Sequence, residues 1–345
     1  MKARFYPESL ELFWQEKSRL FSDEQLEAAV ERLSCGFTTA RPDAFVDYMS
    51  DPLSLAAYGL FFHPQTFERC CHVLSELKRR KRFPETIRIL DAGAGLGAAL
   101  FAAAAVFKEH TIQALAVDHS PAALKCLEEQ AVLFANLSVT TRSGSIADQT
   151  ENIPDTDLTL ISFALNEFSE RTELIRRLAV TGTVVILEPA SDENHRRLRE
   201  LQKDFPVIAP CLQNTGCPLT GCDLGYCHDV HGWTPPQSLS KVNRRLLRSV
   251  QDVKYCYVIL GQAEPVLDES AFRLIAPMSR TKGRIVARGC FADGTLRGIE
   301  IQTRHLKRKE EDVLMEIERS ALLRPITPKP IADGKILRMD AVEEI

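Results

Sequence analysis

The sequence predicts an α/β protein built on a doubly wound parallel sheet. Three observations carry this reading. From Thr86 to Ala190 short apolar runs alternate with stretches of helical spacing. The first run passes into a glycine-rich turn, LDAGAGLG at 90–97, that opens a helix. The second run ends in an acid, Asp118, at the carboxyl edge where such sheets bind ligands.

The elements follow in order. Residues 1–82 read as a helical region. SDEQLEAAVERL (22–33) opens with Ser22 and has Gln25 three residues on, a capping-box pattern, and Leu26, Ala29, Val30 and Leu33 then share one face. FVDYMSDPLSLAAYGLFF (45–62), interrupted near Pro52, and QTFERCCHVLSELKRRKR (65–82) suit two amphipathic helices. Cys70 and Cys71 lie in the second as buried structural thiols.

The sheet domain is expected over 83–192. Its strands are TIRILDAG (86–93), IQALAVDHS (112–120), LSVTTRSGS (137–145), DLTLISFALNEF (157–168) and GTVVILEPA (182–190). Helices fall between them, and SPAALKCLEEQAVLF (120–134) carries a Ser cap with Pro at the first helical position. A third region, 193–323, holds a helix (193–203), a cysteine-rich loop, a hairpin at 283–305 turning at Asp293-Gly294, and a last helix (307–323). The Pro-rich end, 324–345, reads as a flexible tail.

Composition sets outer bounds. Hydrophobic residues are 45% and charged residues 26%, ordinary for a chain with a core, and no run reaches the roughly 18 apolar residues of a spanning helix. No membrane role is expected, and the free protein is expected to be a monomer. The opening MKARFYPESLELFWQEKSRL has neither a signal-peptide h-region nor the acid-poor character of a transit peptide, so a cytoplasmic location is expected ahead of the mitochondrial matrix. The net charge of −4 excludes a globally basic nucleic-acid binder, yet nine Lys and Arg crowd into 278–309 against Asp293 and Glu300. KRRKR (78–82) and KVNRRLLR (241–248) are two further basic runs, and each of the three also fits a solvated face.

The glycine turn offers the sharpest ligand signal. Asp91, Gly93, Gly95 and Gly97 form D-x-G-x-G-x-G between a strand and a helix. Dinucleotide sites favour G-x-G-x-x-G, with pyrophosphate on the helix N-terminus. An acid two residues before the first glycine repels pyrophosphate and suits a ligand with a cationic amino-acid end. S-adenosylmethionine therefore stands ahead of a nicotinamide cofactor, with Asp118 accepting ribose hydroxyls. The fourth strand ends in FALNEF (163–168), which has neither the D/N-P-P-aromatic motif of exocyclic-nitrogen methylation nor a nucleophilic cysteine. Asn166 and Glu167 either line the pocket or cap the next helix, and no residue is identified as a catalytic base.

Cysteine usage gives the second signal. Of ten cysteines, Cys211, Cys217, Cys222 and Cys227 lie within PCLQNTGCPLTGCDLGYCH (210–228). Reduced thiols clustered in a polar loop point to metal binding more than to disulfides. The spacings admit a local four-thiolate zinc site, with His228 and His231 nearby, or an iron–sulfur cluster drawing one thiolate from afar. Cys290 and Cys256 are the distant donors, and Cys256, in the apolar run KYCYVIL, reads as core.

EPAS (188–191), APC (209–211), CP (217–218), YCH (226–228) and KGRIVARGCFADG (282–294), with LDAGAGLGAALFAA, FALNEF and DYMSDPLSLAAY upstream, occur in an order that resembles the mitochondrial small-ribosomal-subunit family Rsm-twenty-two, which includes methyltransferase-like protein seventeen and bacterial relatives. The resemblance covers roughly residues 45–305. It implies a class I S-adenosylmethionine-dependent methyltransferase-like fold with an added iron–sulfur element. It implies a [4Fe–4S] cluster on Cys211, Cys217, Cys227 and Cys290, and association with the small ribosomal subunit and its rRNA during assembly. Members are regarded as methyltransferases whose methyl transfer is open, and the alternative is a non-catalytic rRNA-binding module with a vestigial or regulatory adenosylmethionine pocket. Cys222 departs from the pattern as an extra thiol, able to replace a ligand or to bind zinc.

Overall fold

Local signals build the N-terminal helices. α1 (Glu8–Ser18) buries Leu10, Glu11 and Trp14. α2 (Asp23–Thr38) starts with the expected reciprocal cap: the Gln25 amide N–H donates to Ser22 Oγ, and the Ser22 N–H donates to Gln25 Oε1. The computed structural model describes residues 6–38, 48–146, 154–165, 171–214, 216–219, 225–246, 250–262 and 269–345. α3 (Pro52–Arg80) is one helix of 29 residues where two were expected. Asp51 caps it by accepting from the Ser54 N–H, and Pro52 sits where its missing N–H costs nothing, so the expected break is a helix start. Pro64 lies inside and forfeits one ladder bond, but the buried flanks Leu60, Phe61 and Phe67 hold the helix together.

The sheet follows as alternation predicts: β1 (Thr86–Ala92), α4 (Ala98–Val106), β2 (Thr111–Asp118), α5 (Pro121–Ala131), β3 (Leu137–Ser143), β4 (Leu158–Ser162), α6 (Arg171–Thr181) and β5 (Thr183–Glu188). These five strands run parallel in the order β3-β2-β1-β4-β5. The order reverses between β1 and β4, which opens a crevice at their carboxyl ends. β4 and β5 are almost wholly buried, as strands covered on both faces must be.

The chain divides into two compact units, Met1–Leu187 with Gly232–Val253, and Glu188–His231 with Lys254–Ile345. The second holds α7 (Asp192–Leu201), β6 (Val207–Ala209) and β7 (Asp229–Gly232). α8 (Gln237–Arg245) belongs to the first unit, where Ser238 donates from its N–H and hydroxyl to the buried Glu11 carboxylate. β8 (Asp252–Leu260) pairs with β7 and, antiparallel, with β6.

The rest of the second unit is a β element: β9 (Phe272–Thr281), β10 (Arg284–Phe291), β11 (Leu296–Gln302), α9 (Arg308–Glu316), β12 (Leu322–Ile326), β13 (Lys329–Ile331), β14 (Ile336–Met339) and β15 (Ala341–Glu344). The hairpin expected at Asp293-Gly294 is β10 and β11, paired antiparallel. The last helix is shorter than the expected 307–323: the backbone turns extended at Ile317, and a positive φ of 75° at Ser320 redirects it into β12. Residues 324–345, expected as a flexible tail, are instead largely strand. Leu323 and Pro325 are buried while Arg324 and Ile326 face outward, the two-residue period of a half-buried strand.

Candidate functional site

The glycine turn and the end of β2 form a single hydrogen-bonded unit. The N–H groups of Gly93 and Ala94 donate to the Val117 carbonyl at 2.9 and 3.0 Å. Asp118 accepts from the Gly95 N–H at 2.8 Å through one oxygen and from the Ser120 N–H at 2.8 Å through the other. Each oxygen keeps a lone pair for a further donor such as a ribose hydroxyl. Gly93 and Gly95 have φ of 77° and 50°, the left-handed region that side chains resist. A Cβ on Gly93 would meet Ala164 at 2.4 Å, whereas one on Gly95 would point into open space.

Asp91 is the most unusual group of this turn. It is 1% exposed, and neither carboxylate oxygen makes a well-formed hydrogen bond among the described residues; the Leu100 N–H is near enough only to lower its pKa slightly. Burial, and then the neighbouring Asp118, push its pKa up to about 7. A buried acid left without a well-formed hydrogen bond signals a missing donor. The cationic α-amino group of S-adenosylmethionine is a donor of the right charge, so these residues fit that cofactor. Beside the pocket, Phe163 takes a positive φ of 60° at the end of β4, with the Arg69 guanidinium 5.3 Å from its ring centre. Asn166 and Glu167 lie outside the described residues.

The second candidate lies in the second unit. Cys211 and Cys217 lie in the loop after β6, Cys227 before β7 and Cys290 on the outward face of β10, and Cys211 and Cys217 are within electrostatic range of both Cys227 and Cys290. Burial pushes the Cys227 and Cys290 thiols up to about 12, and Cys211 and Cys217 stand close enough to add to both shifts. Cys256 is buried on β8 with its thiol on the Cys227 carbonyl, the core role expected of it. Cys222 lies outside the described residues. Among the described residues, no group of three or more His, Cys, Asp or Glu side chains is placed to hold a metal, so the metal site expected from the cysteines is not seen.

Two residues missed by the sequence reading complete this cluster. Arg199 on α7 is 8% exposed and donates to Cys211 Sγ at 2.7 Å and to the Tyr257 carbonyl at 3.1 Å. Burial opposes its charge, but Cys211, Cys227, Cys217 and Cys256 raise its pKa above the usual value. Its Nε has no partner among the described residues. His195, one turn earlier, has Nε2 3.8 Å from Cys217 Sγ, and burial with Arg199 nearby lowers its pKa to about 4. The signal was present: helical spacing puts His195 and Arg199 on the face of Leu198, and burial of two such polar groups calls for a partner. A buried guanidinium among thiols favours an anionic partner beside it.

In all three basic runs some side chains are paired, including Arg280, Arg284, Arg297 and Arg308 of the third. Lys78 donates to the Val106 carbonyl and pairs with Glu109, and Arg80 pairs with Glu76. Lys241 and Arg245 of α8 pair with Asp23 and Glu27.

The parallel order β3-β2-β1-β4-β5, with a glycine turn after β1 and an acid closing β2, defines a class I methyltransferase-like fold. The chain belongs to the family described as mitochondrial small ribosomal subunit Rsm22, whose match spans residues 52–311 and so takes in both the glycine turn and all four cysteines. Comparison with curated proteins finds no match. Among solved structures the chain is similar to the precorrin-6y C5,15-methyltransferase of Geobacter metallireducens, at 15% identity over 56% of this chain and 89% of that one, with a TM-score of 0.38. It is also similar to the plantazolicin methyltransferase in complex with SAH, at 14% identity over 68% and 98% with a TM-score of 0.39. A third is the precorrin 8w decarboxylase of Methanobacterium thermoautotrophicum, at 15% over 56% and 90% with a TM-score of 0.37. No helix among the described residues is long and apolar enough to cross a membrane.

Proposed function

We propose that this protein is a small-ribosomal-subunit assembly factor that binds rRNA and S-adenosylmethionine and carries a [4Fe–4S] cluster on Cys211, Cys217, Cys227 and Cys290. The observation that carries the cofactor reading is the buried Asp91, without a well-formed hydrogen bond, beside an open Gly95. In this reading Asp91 receives the cationic amino-acid end, Gly93, Gly95 and Gly97 let the backbone approach, and Asp118 accepts the ribose hydroxyls. When bound, S-adenosylmethionine supplies an electrophilic methyl group. The chain's part in a transfer to rRNA is alignment of the acceptor and exclusion of water, which suffice for a good nucleophile without a base. Asn166 would line the same pocket.

The four thiols and the buried Arg199 support the cluster, which braces the loop 211–227 against Cys290 of β10. Family membership supports the ribosomal role, through the small subunit that the family description names.

Calorimetry with S-adenosylmethionine tests the pocket. The wild type binds, and Gly95→Asp abolishes binding, because the new carboxylate fills the open space and the φ of 50° is strained for any side chain. Absence of binding by the wild type loaded with its metal would make the pocket a relic.

A further inference from the structure

The β element of the second unit is connected as a closed barrel. Its strand order, β13-β14-β11-β10-β9-β12-β15, reads as an open sheet. The two ends of that order are one hairpin. β12 pairs with β15 and β13 with β14 in a single unbroken register, Leu323 opposite Glu344, Ile326 opposite Ala341, Lys329 opposite Arg338 and Ile331 opposite Ile336. The Asp340 N–H donates to the Ile326 carbonyl across the junction. One arm of this hairpin lies antiparallel to β9 and the other parallel to β11, so the sheet closes on itself. Phe272, Phe291, Ile299, Ile301 and Leu323 fill the interior, and Leu314 of α9 packs against them. Register shifts on β10 near Arg288, and the inward Gly289, whose Cβ would strike Phe272 at 2.7 Å, allow the tight coiling.

The connectivity is specific. Three antiparallel strands form a meander, a helix follows the third, the fourth strand joins the first, and the fifth lies parallel to the third. This is the connectivity of the OB-fold, whose second and third strands, with the first turn and the loop between strands four and five, bind oligonucleotides. Here those strands are β10 and β11. Register places Arg284, Val286, Arg288 and Cys290 on the outer side of β10, opposite Gln302, Glu300, Gly298 and Leu296. The first turn carries Lys282, and the last loop carries Lys335.

Charge and chemistry select the occupant. Arg284 and Arg338 share Glu300, which leaves the trio one positive charge. Arg288, Lys282, Lys329 and Lys335 are exposed and form no ion pair among the described residues. These four and the trio outweigh Asp333 of the last loop. The outward row has no aromatic ring for base stacking, so a strand held here is held through its phosphates, with little sequence preference and steep salt dependence.

We propose that this outer β10–β11 face, from the Lys282 turn past Arg288 to Cys290, binds single-stranded RNA. The proposal rests on the rRNA-binding reading above and names its contact surface. The cysteine loop reaches the same face, since Arg273, opposite Cys290 on β9, donates to the Pro210 carbonyl at 2.7 Å. Pro210 thus marks one end of this face.

The test is fluorescence anisotropy of the full-length protein with a labelled single-stranded oligoribonucleotide of mixed sequence, about 12 nucleotides long. Titrations run between about 50 and about 200 mM salt. Lys282→Glu with Arg288→Glu should weaken binding at least about tenfold and reduce the magnitude of the log–log salt slope by about 1.4, the share of two phosphate contacts. Arg308→Glu with Lys309→Glu, the same charge change on α9, should stay within about twofold. All four residues are exposed, so circular dichroism melts should match the wild type. Equal binding by wild type and face variant would overturn the proposal while leaving the rRNA reading intact. Preference for a duplex of the same sequence would overturn the choice of single strand. No binding of either RNA by the wild type would remove the rRNA reading itself.

Discussion

Asp91→Asn separates a ligand-binding role for Asp91 from a structural one. The carboxylate is buried without a well-formed hydrogen bond, and its pKa stands at about 7 against an ordinary 3.8. Because the folded value lies above the unfolded one, the folded protein keeps a proton that the unfolded chain has already released. The stability tied to this group is complete below about pH 4 and is lost as pH rises through about 7. At about 1.4 kcal/mol per unit, the loss is on the order of 4 kcal/mol at pH 8 and on the order of 2 kcal/mol at pH 5. An asparagine of the same shape carries no charge and escapes this loss. Urea denaturation should therefore show Asp91→Asn gaining about 2–3 kcal/mol more, relative to wild type, at pH 8 than at pH 5. The same variant should bind S-adenosylmethionine more weakly, the trade of stability against function expected at a site shaped for a ligand. A difference from wild type that does not change with pH, or a variant less stable at pH 8 than at pH 5 on that scale, would refute the reasoning.

Three further outcomes are expected. Protein purified without oxygen should hold about four irons per chain, Cys290→Ser should lose them and Cys222→Ser should keep them; zinc in place of iron would remove the cluster. His63 is fully buried, with Nδ1 3.0 Å from the Tyr6 hydroxyl, and burial lowers its pKa to about 3. Its neutral form contributes stability that is lost as pH falls from about 6.5 toward 3, and His63→Gln should flatten that limb by about one proton in denaturation series across this range. Leu323→Ala, in the barrel interior, should cost about 2–5 kcal/mol by urea denaturation, where a mere tail residue would cost almost nothing.

The parallel sheet was legible because its signals are local. Each apolar run from Ile87 to Leu187 sits beside the helix that covers it, and Asp91, Gly95 and Asp118 lie at two adjacent strand ends. The N-terminal caps were legible for the same reason, although Pro52 was read as an interruption until Asp51 showed it to be a start. Closure of the barrel was not legible. Pro325 and Pro330 give 324–331 the composition of a loose end; its hairpin partner 336–344 is near in sequence, but closure needs the distant strands β9 and β11. Arg199 escaped notice because charge on a helix is ordinarily a solvated face, and its burial follows from cysteines up to 57 residues away in sequence. The Cys290 placement came from family resemblance. Spacing alone favoured the nearer Cys222 equally well.

The most direct measurement is crosslinking of the full-length protein to RNA in cells, followed by sequencing of the bound fragments. The account predicts strong enrichment of small-subunit rRNA over large-subunit rRNA and messenger RNA, reduced by Lys282→Glu with Arg288→Glu. Fragments distributed as total cellular RNA, or no recovered RNA at all, would contradict it.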